Sequence, residues 1–444
     1  LAGGQSLLAR VVRSSALTVA GFGASQVIRL ASNLILTRLL FPEAFGMMAL
    51  VSILLQGLGQ FSDVGVTPSI LQSKRGDDPN FLNTAWTIQF TRGLLLWIVA
   101  ALLAQPMAVF YDAPELTAIL PVAGITLFLA GMNPTKLDTA NRHLMFGRVT
   151  AIDISVQLIG IIAAVTLAWI TQSVWALVWS HIIGATAHLL LLNLFLPGIR
   201  NRFTWHRHCA QELIRFGKWI FLSTVAGFLF WQADKILIGK YLALDTFGVY
   251  NIGYFLASFP MLLGGMLTRR LLIPIYRELP PTESRANFLK LRRMRVAVTG
   301  GLLAIMALIA LSGVWLVGVM YDDRYAAAGA VVVLLACMQL PQVVVLTYDQ
   351  AALAAGDSFR FFILTAVKAA AMIAALIIGL ETAGLLGALL SQGIAMVVIY
   401  PVTVWLARRM GAWDAKHDAA AFAVGALIAA AAIALNWQAI AALG

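Results

Sequence analysis

The chain has 444 residues, of which 61% are hydrophobic and only 11% charged, and its mean hydropathy is +0.87. That composition excludes a soluble globular enzyme and describes an all-α polytopic membrane protein. The formal net charge of +11 would suggest a nucleic-acid partner in a soluble protein, but here the cations lie in short loops between apolar runs, where they set orientation.

About 20 apolar residues suffice to cross ~30 Å of hydrocarbon, and thirteen stretches qualify. They run from Ser15 to Leu40, Phe45 to Leu71, Ala85 to Leu103, Leu116 to Met132, Val149 to Ile170, Val174 to Leu196 and Phe216 to Tyr241. The series continues from Phe247 to Ile275, Val296 to Met320, Ala326 to Leu346, Phe361 to Leu380, Gly384 to Leu406 and Ala419 to Leu435. Ala20 to Ala24 faintly resembles a signal-peptidase site, yet the apolar pattern continues to Leu40, so the first span is expected to stay uncleaved.

Every second loop is basic, with Lys74 and Arg75, then Lys136, Arg142 and Arg148, then Arg200 to Lys218, Arg269 to Arg295, Arg360, and finally Arg408, Arg409 and Lys416. The loops between them are short and acidic, with Glu43, Asp112, Glu115, Asp245, Asp322, Asp323 and Glu381. This alternation places the N-terminus in the cytoplasm. Trp86, Trp169, Trp175, Trp205, Trp219, Trp315, Trp405 and Trp413 lie near span ends, where amphipathic rings prefer the headgroup layer. Arg285 to Arg295 mixes cations with Phe288, Leu289, Leu291 and Met294, the pattern of a short basic helix on the inner leaflet.

One stretch occurs twice. Leu34 to Gly46 reads as an apolar run, Arg38, an acidic corner at Glu43 and a Phe45-Gly46 pair; Ile236 to Gly248 repeats the order with Lys240, Asp245 and Phe247-Gly248. Each copy follows the first span of a six-span half, so both halves enter the membrane in the same direction and form a parallel repeat about an axis along the membrane normal. The expected domains are an N-terminal six-helix lobe at 1–198, a cytoplasmic linker at 199–215, a C-terminal six-helix lobe at 216–410, and an additional helix at 411–444. Six plus six plus one leaves open whether the tail crosses the membrane or stays on one side.

No P-loop, H-E-x-x-H, G-x-S-x-G or metal-ligand spacing is present, and Cys209 and Cys337 form no C-x-x-C pair, so the reading is a non-enzyme without cofactor or metal. Charge inside the spans carries the information instead, because an ionisable group in hydrocarbon costs several kcal/mol and normally faces a cavity or a partner. Arg29 lies roughly 17 Å from the outer end of its span. Arg92 and Lys368 each lie about 10 Å from a cytoplasmic end, and Lys235 lies about 8 Å deeper than Lys240. Adjacent Asp234 and Lys235 point to different sides of a helix, which favours bridges to other helices. Two readings stay open for Arg29, Arg92, Lys235 and Lys368: lining a shared cavity, or pairing with Asp63, Asp153, Asp234 or Asp349. Arg38 and Lys240, at outer span ends, either join that cavity or anchor the interface. His181 and His188 share a helix face around Gly184, which suits close packing with cross-helix bonds or a proton relay. With Asp63, Asp234 and Asp349 they form the candidate set for ion coupling or structural pairing.

The run Thr37-Arg38-Leu39-Leu40-Phe41-Pro42-Glu43-Ala44-Phe45-Gly46, followed by Phe61-Ser62-Asp63-Val64-Gly65-Val66 and Ile70-Leu71-Gln72, resembles the Wzx-type polysaccharide exporters. These are undecaprenyl-diphosphate-linked oligosaccharide flippases of the multidrug/oligosaccharidyl-lipid/polysaccharide exporter superfamily. The run from Ala233 to Lys240, then Phe247-Gly248-Val249-Tyr250, is similar to that family's seventh-span pattern. The resemblance implies two lobes and alternating access, with a lipid-linked sugar moved to the periplasmic leaflet for exopolysaccharide or lipopolysaccharide assembly. Its expected partners are the undecaprenyl-diphosphate-linked oligosaccharide, membrane lipids, and polymerase or glycosyltransferase enzymes. Thirteen spans depart from the family's usual twelve or fourteen. Two alternatives stand beside it: a cation-coupled multidrug exporter of the same superfamily, and a non-transporting scaffold of a polysaccharide assembly complex. The exporter needs a membrane acid, and the first span has none.

The loop charges predict a labelling pattern. On intact spheroplasts, a membrane-impermeant thiol reagent should label a cysteine at Asp112 and spare one at Arg285; the reverse pattern inverts the topology.

Overall fold

The computed structural model describes residues 7–62, 65–268, 272, 276, 278, 280–354 and 358–443, without the side chains of 7–20, 22, 214–223 and 349–358. Every regular element among them is a helix. The chain divides into two compact units, Leu1–Thr224 and Val225–Gly444. Unit 1 contains α1 (Leu7–Leu39), α2 (Pro42–Phe61), α3 (Val66–Gln72), α4 (Pro79–Tyr111), α5 (Leu116–Ala123), α6 (Ile125–Met132), α7 (Lys136–Arg142), α8 (Phe146–Thr171) and α9 (Trp175–Phe195). Helix α10 (Arg207–Tyr241) carries the chain into unit 2, which adds α11 (Leu244–Ala257), α12 (Phe259–Leu267), α13 (Arg285–Met320), α14 (Ala327–Ala354), α15 (Ser358–Arg409), α16 (Ala415–Leu435) and α17 (Trp437–Ala441).

Local chemistry explains the ends of these helices. Asp78 caps α4 by accepting from Asn80 N, with Pro79 in the first turn; Ser284 caps α13 through Asn287 N, and Asp414 caps α16 through His417 N. Arg38 and Lys240 close the last turns of α1 and α10, while Glu43 and Asp245 open α2 and α11. Each sign complements the helix dipole, so the repeated sequence is a repeated pair of helix ends.

Eight helices among the described residues are long and apolar enough to cross a membrane, and counting each of two bent pairs as one span makes ten. The bends are 57° between Leu116–Met132 and Lys136–Arg142, and 45° between α11 and α12. Helices α1 and α10, with 33 and 35 residues, are long enough to span the same thickness but are not in that count. Helix α15 is itself two arms joined at Ala383 and Gly384. Gly384 has φ +54° and ψ −132°, a conformation for which a residue without Cβ is suited.

Two pairings of spans occur in both units. Third packs on fourth, as α4 on α5 and α6 and as α13 on α14; second packs on fourth, as α2 on α5 and as α11 on α14. The centre of unit 2 is α14, whose apolar stretch is 83% buried. Lipid supplies no hydrophobic drive for helix association, so contact rests on small residues and interhelical hydrogen bonds. A Cβ on Gly93 of α4 would lie 2.9 Å from Gly131 Cα of α6, and one on Gly379 would lie 2.3 Å from Gly387 O in the other arm of α15. Between α1 and α8, Ser25 Oγ donates to Gln157 Oε1 at 2.7 Å and Gln157 Nε2 returns a bond to Ser25 O at 2.9 Å.

Three expectations are corrected. The basic stretch Arg285 to Arg295 is no separate surface helix but the first turns of α13, with Leu291 and Arg295 fully buried; the backbone ladder continues because Arg295 finds partners inside unit 2. The segment Arg200 to Lys218 is not all loop, since α10 starts at Arg207 and Cys209 and Leu213 pack against Val66, Ile70 and Phe81. The division between the units accordingly falls inside α10. Gly184 is not a close-packing point, since a Cβ there meets nothing within 4 Å.

Gly131→Leu should lower the yield and thermal midpoint of purified protein, because overpacking typically costs 1–3 kcal/mol. Gly23→Ala, where a Cβ meets open space, is the neutral control. Equal midpoints for the two variants would refute the close approach of α4 and α6.

Candidate functional site

Unit 2 collects polar side chains in a small pocket among α10, α11, α12, α14 and α15. Asp234, Tyr254, Ser258, Gln339, Gln342 and Gln392 line it, with Phe230 and Trp231 beside them. Asp234 is buried; it accepts a hydrogen bond from Tyr250, whose hydroxyl also accepts from Gln392 Nε2 at 3.3 Å. Lys235, its neighbour, reaches other groups, donating from Nζ to Gln232 Oε1 at 2.9 Å and lying 3.9 Å from the Tyr254 ring centroid. The two adjacent charges therefore diverge to different partners, as i and i+1 on a helix must. Lys368, from the first arm of α15, is buried and lies 5.7 Å from the Phe230 ring centroid. Gln339 Oε1 is buried and has no hydrogen-bond partner among the described residues. A carboxylate, three amides, a phenol and a serine hydroxyl around one space can hold a hydroxyl-bearing or cationic group.

Unit 1 treats its intramembrane cations differently. Arg92, on α4, donates from Nε to Ser62 Oγ at 2.9 Å and from a terminal nitrogen to Gly59 O. It thus satisfies the C-terminal end of α2, where carbonyls lack intrahelical donors and the dipole favours a cation. Arg29, on α1, is exposed and has no hydrogen-bond or ion-pair partner among the described residues. Its helix packs on α8 through Gly21, which meets Thr150, and through Ser25. Arg38 and Lys240 are exposed at their helix ends. His181, also exposed, has Nδ1 2.7 Å from Leu177 O of its own helix and forms no bridge to another helix among the described residues. His188 does face another helix, with Nε2 3.7 Å from Asp153 Oδ1 on α8. Asp63 lies outside the described residues, as does the side chain of Asp349.

A further cluster escaped sequence reasoning. Ahead of α16, Asp414 takes both guanidinium contacts of Arg292. Arg295 is fully buried; it donates to Ala412 O and the Tyr276 hydroxyl and stacks 4.3 Å from the Tyr348 ring centroid. Asp418 accepts from Tyr348 and Tyr400, both at 2.7 Å, and its Oδ1 lies 2.9 Å from His417 Nδ1. His417 Nε2 lies 3.2 Å from Thr299 Oγ1. These contacts fasten the extra C-terminal helix to α13, α14 and α15. The available signal was Asp414 and Asp418 at i and i+4, an acidic pair opening a span inside an otherwise basic region.

Comparison with known proteins adds the following. Residues 35–330 match a family described as "Polysaccharide biosynthesis protein". The chain is 23% identical over 310 residues to the succinoglycan biosynthesis transport protein ExoT of Rhizobium meliloti, covering 68% of this chain and 60% of that one. It is 20% identical over 284 residues to the teichuronic acid biosynthesis protein TuaB of Bacillus subtilis, covering 63% and 58%. The chain thus spans under two thirds of either relative's length. Among solved structures, the lipid II flippase MurJ in an inward closed conformation superposes with a TM-score of 0.67 at 12% identity, over 96% of this chain and 99% of that one. An inward-facing multidrug resistance MATE family transporter of the MOP superfamily gives 0.61 at 14% identity, over 87% and 95%. At these identities the likeness establishes the fold: a multi-pass all-helical membrane protein of the MurJ and MATE type.

Asp414, just ahead of α16, predicts a pH dependence. Burial alone would raise its carboxyl, but the hydrogen bond from Arg292 and the His417 backbone N–H hold it below the usual carboxylate value. A depressed folded value means that its stabilisation is present above about pH 4 and lost as pH falls through the lower folded value. The thermal midpoint of purified protein should fall on acidification below about pH 4. Asp414→Asn should lower the midpoint at neutral pH, by the equivalent of about 1–3 kcal/mol, and flatten the acid limb. An unchanged acid limb in that variant would refute the assignment.

Proposed function

Because this chain belongs to the polysaccharide biosynthesis protein family, we propose that it is a flippase of the bacterial inner membrane. Its cargo is a lipid-diphosphate-linked oligosaccharide, moved from the cytoplasmic to the periplasmic leaflet for surface polysaccharide assembly. The likeness to ExoT, a succinoglycan biosynthesis transport protein, and to MurJ, a lipid II flippase, supports this choice of substrate class.

The observation that carries the reading is Arg29. A guanidinium set roughly 17 Å inside a span and without a partner among the described residues needs water or an anionic ligand. A diphosphate meets a guanidinium through two parallel hydrogen bonds, a geometry that an ammonium does not reproduce. Arg29 is therefore the diphosphate ligand in unit 1, while Arg92 holds the end of α2 in place. Lys235 and Lys368 are the supporting cations of unit 2, and its amide-lined pocket suits hydroxyl groups. Outward movement of negative charge across a membrane negative inside gains about 2.3 kcal/mol per charge per 100 mV, so the potential assists export.

One observation favours the second reading, a cation-coupled exporter: Asp234 is a buried carboxylate lining the unit 2 pocket. The two readings differ in what Asp234→Asn does. It abolishes drug efflux in an exporter, and it leaves the drug phenotype unchanged in a flippase.

In a strain lacking the protein, Arg29→Ala should insert at normal abundance, fail to restore surface polysaccharide, and leave lipid-linked oligosaccharide accumulating in the inner leaflet. Arg29→Lys should restore little export. Normal abundance with normal export for Arg29→Ala would end the assignment, and low abundance rescued by neutralising an acid would make Arg29 structural.

A further inference from the structure

A second polar surface lies at the basic end of unit 2, apart from the embedded pocket. The final turns of α15 and the loop before α16 form an open groove lined by Tyr400, Val404, Trp405, Arg408, Arg409 and Trp413. Arg408 Cζ lies 4.0 Å from the Trp413 ring centroid, and Arg409 Cζ lies 5.6 Å from that of Trp405. Both arginines are exposed, and neither has a carboxylate at ion-pair distance among the described residues. Helix geometry alone would splay adjacent residues apart; stacking on two indoles turns both guanidinium groups to the rim of one groove.

A guanidinium lying against a ring keeps its N–H edge free, and two such edges suit the oxygens of a phosphodiester. Below the rim the wall is apolar, with Trp405 47% exposed and Pro401 and Val404 beside it. This succession of cation, indole and aliphatic surface follows the order of headgroup, glycerol and acyl chain. The groove is also built on fixed elements. Tyr400 donates to Asp418 at 2.7 Å and packs edge-on against Phe422 with 4.9 Å between centroids, and Trp413 precedes the Asp414 that Arg292 holds.

We propose that this groove binds an anionic glycerophospholipid of the cytoplasmic leaflet, with Arg408 and Arg409 holding the phosphodiester and Val404 and Trp405 the upper acyl chain. A zwitterionic lipid is disfavoured because its ammonium offsets the attraction of the arginine pair. The inference rests on the membrane placement of α15, not on the transport reading, and its test uses no transport readout.

The full chain is purified in non-ionic detergent, stripped of lipid, and titrated with phosphatidylglycerol or phosphatidylcholine of matched chains. Bound lipid is counted by native mass spectrometry and thermal midpoints are recorded. Wild type should prefer phosphatidylglycerol by about tenfold, the scale of a hydrogen bond to a charged group. Arg408→Gln with Arg409→Gln should bring phosphatidylglycerol down to the phosphatidylcholine level without moving the lipid-free midpoint. Arg200→Gln with Arg202→Gln, exposed cations elsewhere, should retain the preference. If the Gln variant misfolds, Arg408→Lys with Arg409→Lys decides, keeping charge but weakening retention. Equal retention of the two lipids by wild type, or undiminished preference in the folded Gln or Lys variant, overturns the proposal. Displacement of phosphatidylglycerol by equimolar polyprenyl diphosphate also overturns it, by assigning the groove to the transported lipid.

Discussion

An ionised side chain within a hydrocarbon layer is tolerated where a partner, a polar pocket or water meets its charge, and this requirement shapes both units. Arg92 meets it by bonding the open end of α2. Lys235 meets it with an amide and an aromatic face, and Asp234 with a phenol. Arg295, fully buried, meets it with a carbonyl and a hydroxyl and by lying against Tyr348. In each case the charge ties together segments separated in sequence, so the polar contacts specify which helices are neighbours where apolar surface alone would not.

Packing does the complementary work. Leucine is no less comfortable against lipid than against another helix, so association depends on places where backbones approach closely. The Gly93 and Gly131 contact in unit 1 and the Gly379 and Gly387 contact in unit 2 are such places. Around α14, burial on nearly all sides makes one helix the core of unit 2. The extra helix α16 joins that core through charge and hydroxyl contacts at its N-terminal end and through buried Ala421, Gly425 and Ala432 along its length.

Against this background Arg29 differs from its counterparts: it sits on a helix whose packing face is occupied by Gly21 and Ser25, and it remains exposed. That contrast between satisfied and available cations carries the proposed role in binding a diphosphate. Arg408 and Arg409 are available in the same sense, but at the level of the headgroups, where the ligand chemistry is that of the bilayer itself.

Much was legible in the chain because its signals are local. Apolar length marks the spans, loop charge marks their expected orientation, and the Phe45-Gly46 and Phe247-Gly248 copies mark corresponding helix ends. The break at Ala383 and Gly384 falls between the eleventh and twelfth predicted spans, since a residue without Cβ next to an acidic corner signals a turn by itself. Partnerships were not legible. Depth along a span identifies Arg92 and Arg29 equally as intramembrane cations, yet one bonds the end of α2 and the other stays open. The cluster of Arg292, Arg295, Asp414, His417 and Asp418 reads in sequence as orientation charge, because its members lie on different helices. Rise per residue is a property of one helix, whereas the partner of a charge is a property of which helices meet, and only the tertiary structure decides that.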